Sequence, residues 1–377
     1  MHTVALARTL KANGHEVSII EVGSDLYAQN RFELNEKIHV STIDNVQSLK
    51  FPGIIDSLRI ISKLYGDICI FPKGDVFAGS WQLDLIANLK FNHFITIEHK
   101  ASLPMPPKSR RYHFGGLIPG IGFWWYRRKI NFFLRSLWPH KIVCVSRNVE
   151  RSLIDYNGFP QHKVTSVCNG IDPEIYRHRA DCRISARLKW GIKKDALVFG
   201  TIGRFHLWKG FDVALKLFAK LTSTSFRPDL WFILVGRGPE LENLKELIVE
   251  LNIIEKVKLI DFTDKPWEIY PAFDVFLMPS RLEGLPLTLL EAMASGCCPI
   301  AMDVGGISEV ITDPSLGWLV QPDDNNGFFD AMKLAAELDS DSLRDMGRKV
   351  REHIVKHFNA QRQFSALASV IESECSN

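Results

Sequence analysis

The chain has 377 residues, which is too long for one ordinary domain and suits two domains of roughly 150 to 200 residues each. Hydrophobic residues make up 46% and charged residues 24%, the balance of a globular protein, and this excludes extensive disorder. The formal net charge of only +3 does not call for nucleic acid or another strongly acidic partner.

The seven cysteines are scattered without a C-x-x-C pair. Several lie in apolar runs typical of strands, so we expect free thiols in a reducing, cytoplasmic compartment. No run reaches the ~18 apolar residues that a membrane span requires. Any membrane contact is therefore expected to be peripheral.

Short apolar runs in the first half predict the strands of one α/β domain, at 17–22, 68–71, 93–97 and 141–145. An Asn-Gly turn and a proline in 168–173 predict the end of this domain. We therefore place the N-terminal domain at 1–171.

A stretch within 108–135 combines aromatic and basic side chains, from Lys108, Arg110 and Arg111 through 123–129 to Arg135. Such a helix suits the headgroup boundary of an anionic membrane, where each cation contributes about 1 kcal/mol. An ordinary helix whose aromatic side chains fill the N-terminal core explains the pattern equally well.

The second half alternates apolar runs with segments of helical period, which is typical of a doubly wound α/β domain. It is placed at 172–357, and a final helix in 358–377 is expected to cross back to the first domain. The predicted strands are 197–202, 230–235, 257–260, 275–278 and 298–302, and the predicted helices are 210–221, 240–251 and 286–294.

Two loops that follow these strands carry residues suited to a nucleotide. Arg204 and Lys209, flanked by Gly203 and Gly210, can neutralise a diphosphate, although a solvated basic loop is the plain alternative. Ligands of open α/β sheets sit at the carboxyl ends of the strands, so we expect these residues to form one site with the loop after 275–278.

In that second loop, Glu283 precedes a helix that begins near Pro286, since proline is favoured in a first helical turn. The free amides of the helix start can bind phosphate. Glu291, a little over one turn in, can accept both hydroxyls of a ribose, and charge-assisted hydrogen bonds of this kind are worth roughly 1.5 to 3 kcal/mol each. Glu283 would face a sugar.

Four motifs together resemble the family 4 glycosyltransferases in order and spacing. They are Gly203-Arg204-x4-Lys209-Gly210, Val235-Gly236-x-Gly238-Pro239, Pro279-Ser280-x2-Glu283-Gly284 with Glu291-Ala292-Met293-Ala294-x-Gly296, and Gly305-Gly306-x2-Glu309. The resemblance implies the GT-B fold, in which two Rossmann-like domains face a deep interdomain cleft. It further implies transfer with retained anomeric configuration, and neither a metal nor a cofactor beyond the nucleotide-sugar donor.

By resemblance, Arg204 and Lys209 hold the diphosphate, Glu283 a sugar hydroxyl and Glu291 the ribose. The resemblance implies that His99, which follows the strand at 93–97, lies near the reacting carbon. The alternative is that His99 is a loop histidine with no functional role. The implied donor-binding set is Gly203, Arg204, Lys209, Gly236, Arg237, Phe262, Glu283, Gly284, Leu285, Pro286, Leu287 and Glu291, with 235–238 and Phe262 beside the base.

One departure from the family concerns the N-terminus. The sequence opens at 2–10 with what resembles the family's first helix, so we expect the N-terminal domain to lack its first strand and the glycine loop that follows it. Transfer by this chain is then expected to be weak compared with a longer form.

Three other patterns are weaker. Gly236-Arg237-Gly238 nearly matches a dinucleotide fingerprint, but the third glycine is missing, which disfavours a dehydrogenase. Asp339 and Asp341 have metal-binding spacing, yet an N-cap is the better interpretation. His353 and His357 share a helix face, but no nearby carboxylate or cysteine completes a site.

The sequence thus predicts a hexosyltransferase that uses a nucleotide-diphosphate sugar, with UDP-glucose favoured. The expected acceptor is a polysaccharide or a lipid-linked glycan. Two alternatives remain, a UDP-sugar epimerase of the same architecture and a non-catalytic nucleotide-sugar binder.

Overall fold

A computed structural model describes residues 2–22, 39–43, 54–62, 64–73, 81–99, 112–113, 118–119, 133–134, 136–224 and 227–376. The chain divides into two compact units. The first contains 1–168 and 363–377, and the second contains 169–362. The sequence predicted the junction between the domains at 171, where the structure has it at 168. It predicted that the last helical segment starts at 358, where the structure has the chain return to the first unit at 363.

The first unit is built on a parallel sheet in the order β3-β4-β7-β8. It also has two separate strand pairs, the parallel pair β1-β2 and the antiparallel pair β5-β6. Its strands are β1 Ser18–Val22, β2 His39–Ile43, β3 Ile68–Lys73, β4 His93–Glu98, β5 Tyr112–His113, β6 Ile118–Pro119, β7 Lys141–Cys144 and β8 Val164–Ser166. Its helices are α1 His2–Ala12, α2 Ile54–Ser62, α3 Trp81–Lys90, α4 Arg147–Asn157 and most of α11 Ala360–Cys375.

Strand β4 is the buried centre of this unit. Phe94 and Ile95 are almost completely buried, and Phe94 packs in a cluster with Leu83 of α3 and Ile61 of α2. The C-terminal helix α11 is tied to the same unit by polar contacts. Asn13 donates to Glu372 at 2.8 Å, and Lys141 of β7 pairs with Glu374 at 2.8 Å.

The second unit has a six-stranded parallel sheet in the order β11-β10-β9-β12-β13-β14. Its strands are β9 Leu197–Ile202, β10 Leu230–Val235, β11 Val257–Ile260, β12 Val275–Met278, β13 Cys298–Met302 and β14 Trp318–Val320. Its helices are α5 Ala180–Lys189, α6 Phe211–Thr224, α7 Leu241–Glu250, α8 Leu287–Ala294, α9 Asn325–Glu337 and α10 Ser340–His357. This order is that of a Rossmann sheet, as predicted.

Helix α6 shows why the second unit folds as predicted. Ala214, Leu215, Phe218 and Leu221 recur at spacings of three and four, so they form one face, and all four are buried. Phe218 meets the rings of Phe199 and Phe232, which are also fully buried. Burying such a side chain stabilises the fold by about 1.5–3 kcal/mol.

Two further predictions concern helix ends and membranes. Asp339 is the N-cap of α10, where its carboxylate accepts from the amides of Asp341 and Ser342, so the interpretation as a cap is confirmed. Within the ranges given above, the structure has no helix that is both long enough and apolar enough to cross a bilayer. The aromatic and basic residues at 123–129 lie outside the described residues, as do Lys108, Arg110, Arg111 and Arg135.

Candidate functional site

The loops that follow β9, β10, β12 and β13 meet at the carboxyl edge of the second sheet. The strand order reverses between β9 and β12, because the chain goes from β9 outward to β11 and then returns to β12 on the other side. A crevice outside the strand ends at such a switch point is where open α/β sheets bind their ligands. The motifs predicted as one site come from these loops.

Lys209 and Glu283 meet at the switch point. Their sequence positions are far apart, but the Lys209 Nζ atom lies 2.6 Å from Glu283 Oε1. The Glu283 side chain is 8% exposed and that of Lys209 is 26% exposed. Ser280 Oγ donates to the same Glu283 oxygen at 2.7 Å, so the carboxylate is oriented from two directions.

Lys209 ends a short 3₁₀ turn, Leu207–Lys209, and Gly210 follows with φ of 67°. A Cβ atom at Gly210 would collide with the carbonyl of Pro279 in the loop after β12. Glycine is thus required here both by the left-handed backbone and by the close approach of the second loop. This approach brings the Lys209 ammonium to Glu283.

Arg281 fastens the same two loops together. Its backbone N–H donates to the Trp208 carbonyl at 2.8 Å, and its guanidinium donates to the Leu207 carbonyl. The guanidinium also forms a two-point contact with Asp212 at the start of α6, at 3.0 and 2.9 Å. Because bidentate pairs of this kind fix geometry, Arg281 holds the turn that carries Lys209.

The loop after β13 closes on Glu283 from the other side. Gly305 has φ of 62°, and a Cβ atom there would collide with the carbonyl of Glu283. The N–H of Gly306 donates to the Gly284 carbonyl at 2.5 Å. The predicted glycine pair therefore supports the Glu283–Gly284 backbone.

The loops after β10 and β11 supply an aromatic and cationic pair. The Arg237 guanidinium lies 4.5 Å from the ring centroid of Phe262, and the Phe262 side chain is 40% exposed. The Phe205 N–H donates to the Arg237 carbonyl at 2.9 Å, which joins this loop to that of β9. An exposed ring backed by a cation can stack on a planar ligand such as a base.

Helix α8 carries Glu291 at its fifth position, as predicted, but its carboxylate has partners that the sequence did not indicate. The Tyr176 hydroxyl donates to Glu291 Oε1 at 2.9 Å, and the Tyr270 hydroxyl donates to Oε2 at 2.8 Å. Burial raises the pKa of Glu291, and the two hydroxyls act in the opposite direction because they stabilise the carboxylate.

The start of α8 differs from the prediction by one residue. Pro286 has an extended ψ of 121° and is the N-cap, so the first helical turn begins at Leu287 and not at Pro286. In the described part of the chain, no side chain caps this helix start. Leu285 just before it is buried, and its carbonyl accepts from the Asn169 amide at 2.8 Å.

Two predicted site residues, Arg204 and His99, lie outside the contacts described above. Arg204 is exposed on the loop after β9. His99 belongs to the first unit, directly after β4, and its side chain is partly buried. Burial lowers the pKa of His99 from 6.5 to about 4, so its imidazole is neutral at pH 7.

Two glycosyltransferase family models match different parts of the chain. The family "Glycosyl transferases group 1" matches residues 183–353, and "Glycosyltransferase Family 4" matches residues 1–175. N-acetyl-alpha-D-glucosaminyl L-malate synthase of Bacillus anthracis is 30% identical over 212 residues, which cover 56% of this chain and 54% of that protein. An uncharacterized glycosyltransferase of Methanocaldococcus jannaschii is 24% identical over 331 residues, which cover 85% and 80%.

Solved structures agree with this assignment at the level of the fold. A glycosyltransferase from Rickettsia africae superposes with a TM-score of 0.76 at 19% identity, covering 100% of this chain and 94% of that one. HepE of Anabaena, solved with UDP-glucose, superposes with a TM-score of 0.76 at 17% identity, covering 99% and 96%.

The two α/β units therefore have the GT-B fold of these solved structures. The N-terminal part of the chain matches the family 4 model and the C-terminal part matches the group 1 model, so glycosyltransferase models match both units of the chain. It spans about half the length of the Bacillus relative and most of the Methanocaldococcus relative.

Proposed function

We propose that this chain transfers a hexose from a UDP-sugar, with UDP-glucose the favoured donor, to a polysaccharide or lipid-linked glycan, with retained anomeric configuration. The single observation that carries the proposal is the Lys209–Glu283 pair at the switch point of the sheet, 2.6 Å apart. It places a cation and a hydrogen-bond acceptor side by side, which is what a diphosphate joined to a sugar requires.

In this proposal the charges act on the leaving group. The acceptor hydroxyl oxygen forms a bond to the anomeric carbon while the bond from that carbon to the diphosphate oxygen breaks. The acceptor's proton passes to the leaving diphosphate. Arg204 and Lys209 stabilise the negative charge that develops on the diphosphate, so the chemistry needs no metal and no further cofactor.

The remaining residues bind the donor. Glu283, held by Ser280 and Lys209, accepts a hydroxyl of the sugar. The amides at the start of α8 contact phosphate. Glu291 accepts the ribose hydroxyls, and Phe262 with Arg237 stacks on the base.

His99, neutral at pH 7 because of its lowered pKa, is proposed to contact the sugar near the reacting carbon. An uncharged imidazole both donates and accepts a hydrogen bond, whereas an imidazolium only donates. This role fits a group that touches the substrate without adding charge where an oxocarbenium-like centre develops.

Relatives support the choice of donor and acceptor. HepE was solved in complex with UDP-glucose. An Escherichia coli relative, 25% identical over 220 residues, is named UDP-Gal:alpha-D-GlcNAc-diphosphoundecaprenol alpha-1,3-galactosyltransferase, so its donor is a UDP-sugar and its acceptor is lipid-linked. Peripheral contact with the cytoplasmic face of an anionic membrane is proposed on the same ground and on the composition of 108–135.

The test combines a binding screen with turnover. UDP-glucose, UDP-galactose, UDP-N-acetylglucosamine and GDP-mannose are compared by thermal shift, since a donor present at 100 times its Kd stabilises by about 2.7 kcal/mol. Release of the nucleoside diphosphate is then followed with and without a glycan acceptor. Binding without release favours the non-catalytic binder, and interconversion of UDP-sugars favours the epimerase.

Two variants assign the site. Lys209→Met and Glu283→Gln are each expected to lower kcat/KM at least about 100-fold, the effect of removing one charge-stabilising group. Lys245→Met and Glu242→Gln are matched controls, because that pair lies at 2.8 Å on the exposed face of α7. Activity near that of the controls in both site variants would remove the assignment.

A further inference from the structure

The carboxylate of Glu291 is held by two tyrosines from separate segments of the second unit. Tyr176 lies shortly after the boundary between the units, and Tyr270 lies in a 3₁₀ turn, Tyr270–Ala272, just before β12. Each hydroxyl donates to a different carboxylate oxygen, at 2.9 and 2.8 Å. No sequence motif of the site contains either tyrosine.

Both tyrosines are fixed by packing and by their backbones. Tyr176 is 2% exposed and Tyr270 is 0% exposed, and their rings meet edge to face with centroids 6.1 Å apart. The carbonyl of Tyr176 accepts from Arg351 at 3.2 Å, and that of Tyr270 accepts from the Cys297 thiol at 3.2 Å. The two hydroxyls therefore have nearly fixed positions relative to the sheet.

The Glu291 carboxylate keeps acceptor sites that the two tyrosines do not use. An ionised carboxylate has about four acceptor sites, two on each oxygen. The two tyrosines use one site on each oxygen, and no other described residue forms a hydrogen bond with this carboxylate, so one site remains on each. One acceptor site on each of the two oxygens matches in number the two neighbouring hydroxyls of a ribose.

Burial raises the pKa of both tyrosines, and the adjacent carboxylate raises it further. Each hydroxyl therefore keeps its proton at neutral pH. The tyrosines consequently act only as donors to Glu291. They favour its ionised form, which burial alone would disfavour.

We propose that Tyr176 and Tyr270 are positioning residues that orient the Glu291 carboxylate toward the 2′- and 3′-hydroxyls of the donor's ribose, and that they thereby make the site selective for ribonucleotides. This inference rests on the proposed function, in which Glu291 receives the ribose. It goes further by assigning the selectivity to two residues that touch the carboxylate and not the donor.

The experiment measures the affinity of the full chain for UDP and for 2′-deoxy-UDP by calorimetry. A charge-assisted hydrogen bond supports a preference for UDP of about 10- to 100-fold in the unaltered protein. Tyr176→Phe and Tyr270→Phe each keep the ring and remove only the hydroxyl. Each is expected to reduce the UDP preference by about 3- to 10-fold, because UDP loses affinity through both ribose hydroxyls and 2′-deoxy-UDP only through its 3′-hydroxyl.

Two controls bracket these variants. Glu291→Gln removes the charged acceptor and is expected to abolish most of the preference. Tyr156→Phe removes an exposed hydroxyl on α4 of the first unit and is expected to leave both affinities unchanged. Near-UV circular dichroism detects a folding defect in either variant. Because the two tyrosines lie on different segments, the other variant can still be used for the test if one is misfolded.

The pH dependence of UDP binding adds a second readout. Loss of one tyrosine donor raises the pKa of Glu291. As the pH is lowered, the Phe variants are therefore expected to start losing UDP affinity at a higher pH than the unaltered protein does. Equal losses for UDP and 2′-deoxy-UDP, with the preference and the pH profile unchanged, would show that the tyrosines only fill space and would overturn the inference alone. Failure of the unaltered protein to bind either nucleotide would overturn the proposed function with it.

Discussion

Acidification should destabilise the first unit through His99. The pKa of His99 falls from 6.5 to about 4 on folding because the imidazole is buried. Between these values the unfolded chain binds a proton at this position and the folded protein does not. Stability is therefore full above pH 6.5 and is lost as the pH falls toward 4.

The size of the effect follows from the two pKa values. Linkage gives a loss of about 2 kcal/mol in the free energy of unfolding between pH 7 and pH 5, and of about 3 kcal/mol once the pH is below 4. A loss of 2 kcal/mol is a large part of the 5 to 15 kcal/mol, roughly, that stabilises a typical domain.

The assay compares the unaltered protein with His99→Gln, whose side chain binds no proton in this range. Urea unfolding is followed by tryptophan fluorescence at pH 7 and at pH 5, and amide exchange in β4 assigns the transition to the first unit. Other titrating groups are common to both proteins, so they cancel in the difference. A pH effect in His99→Gln within about 0.5 kcal/mol of that in the unaltered protein would refute the reasoning.

Two further predictions concern the loops of the candidate site. Gly210→Ala should destabilise the second unit by about 2 kcal/mol or more beyond the effect of Gly191→Ala. Both glycines have φ near 70°, but only at Gly210 would a Cβ atom collide with a carbonyl. Equal midpoints of urea unfolding for the two variants would contradict this prediction. Arg281→Met should raise the KM for the donor several-fold and change stability by only about 0–1 kcal/mol, since its pair with Asp212 is partly exposed. Arg348→Met, which breaks an exposed two-carboxylate contact on α10, is the control, and an equal KM in both variants would argue against a positioning role.

The second unit was predictable because four of its strands, β9, β10, β12 and β13, are almost entirely buried and therefore consist of nearly continuous apolar runs. Apolar runs of β-branched and aromatic residues predicted β9 to β13 at their observed bounds. Strand β14 was missed because Trp318–Val320 has only three residues, which is too short for any period to show. The same reason applies to β8, Val164–Ser166.

The candidate site was predictable where residues belong to a motif. Lys209 and Glu283 were expected to meet because both follow strands of one parallel sheet, and their ion pair confirms the convergence. Tyr176, Tyr270 and Arg281 gave no signal, because each is a single residue whose partner is decided only by tertiary packing. The roles assigned to Arg204, Lys209, Glu283, Glu291 and His99 stay predictions.

The interlocked backbone at the sheet edge has a consequence for enzyme engineering. Hydrogen bonds run from Phe205 to Arg237, from Arg281 to Trp208 and from Gly306 to Gly284, so each loop rests on the next. Grafting one loop from a relative would remove main-chain partners from its neighbours on both sides. Altered sugar preference should therefore be sought by exchanging projecting side chains one at a time, or by transplanting the whole set of loops as a block.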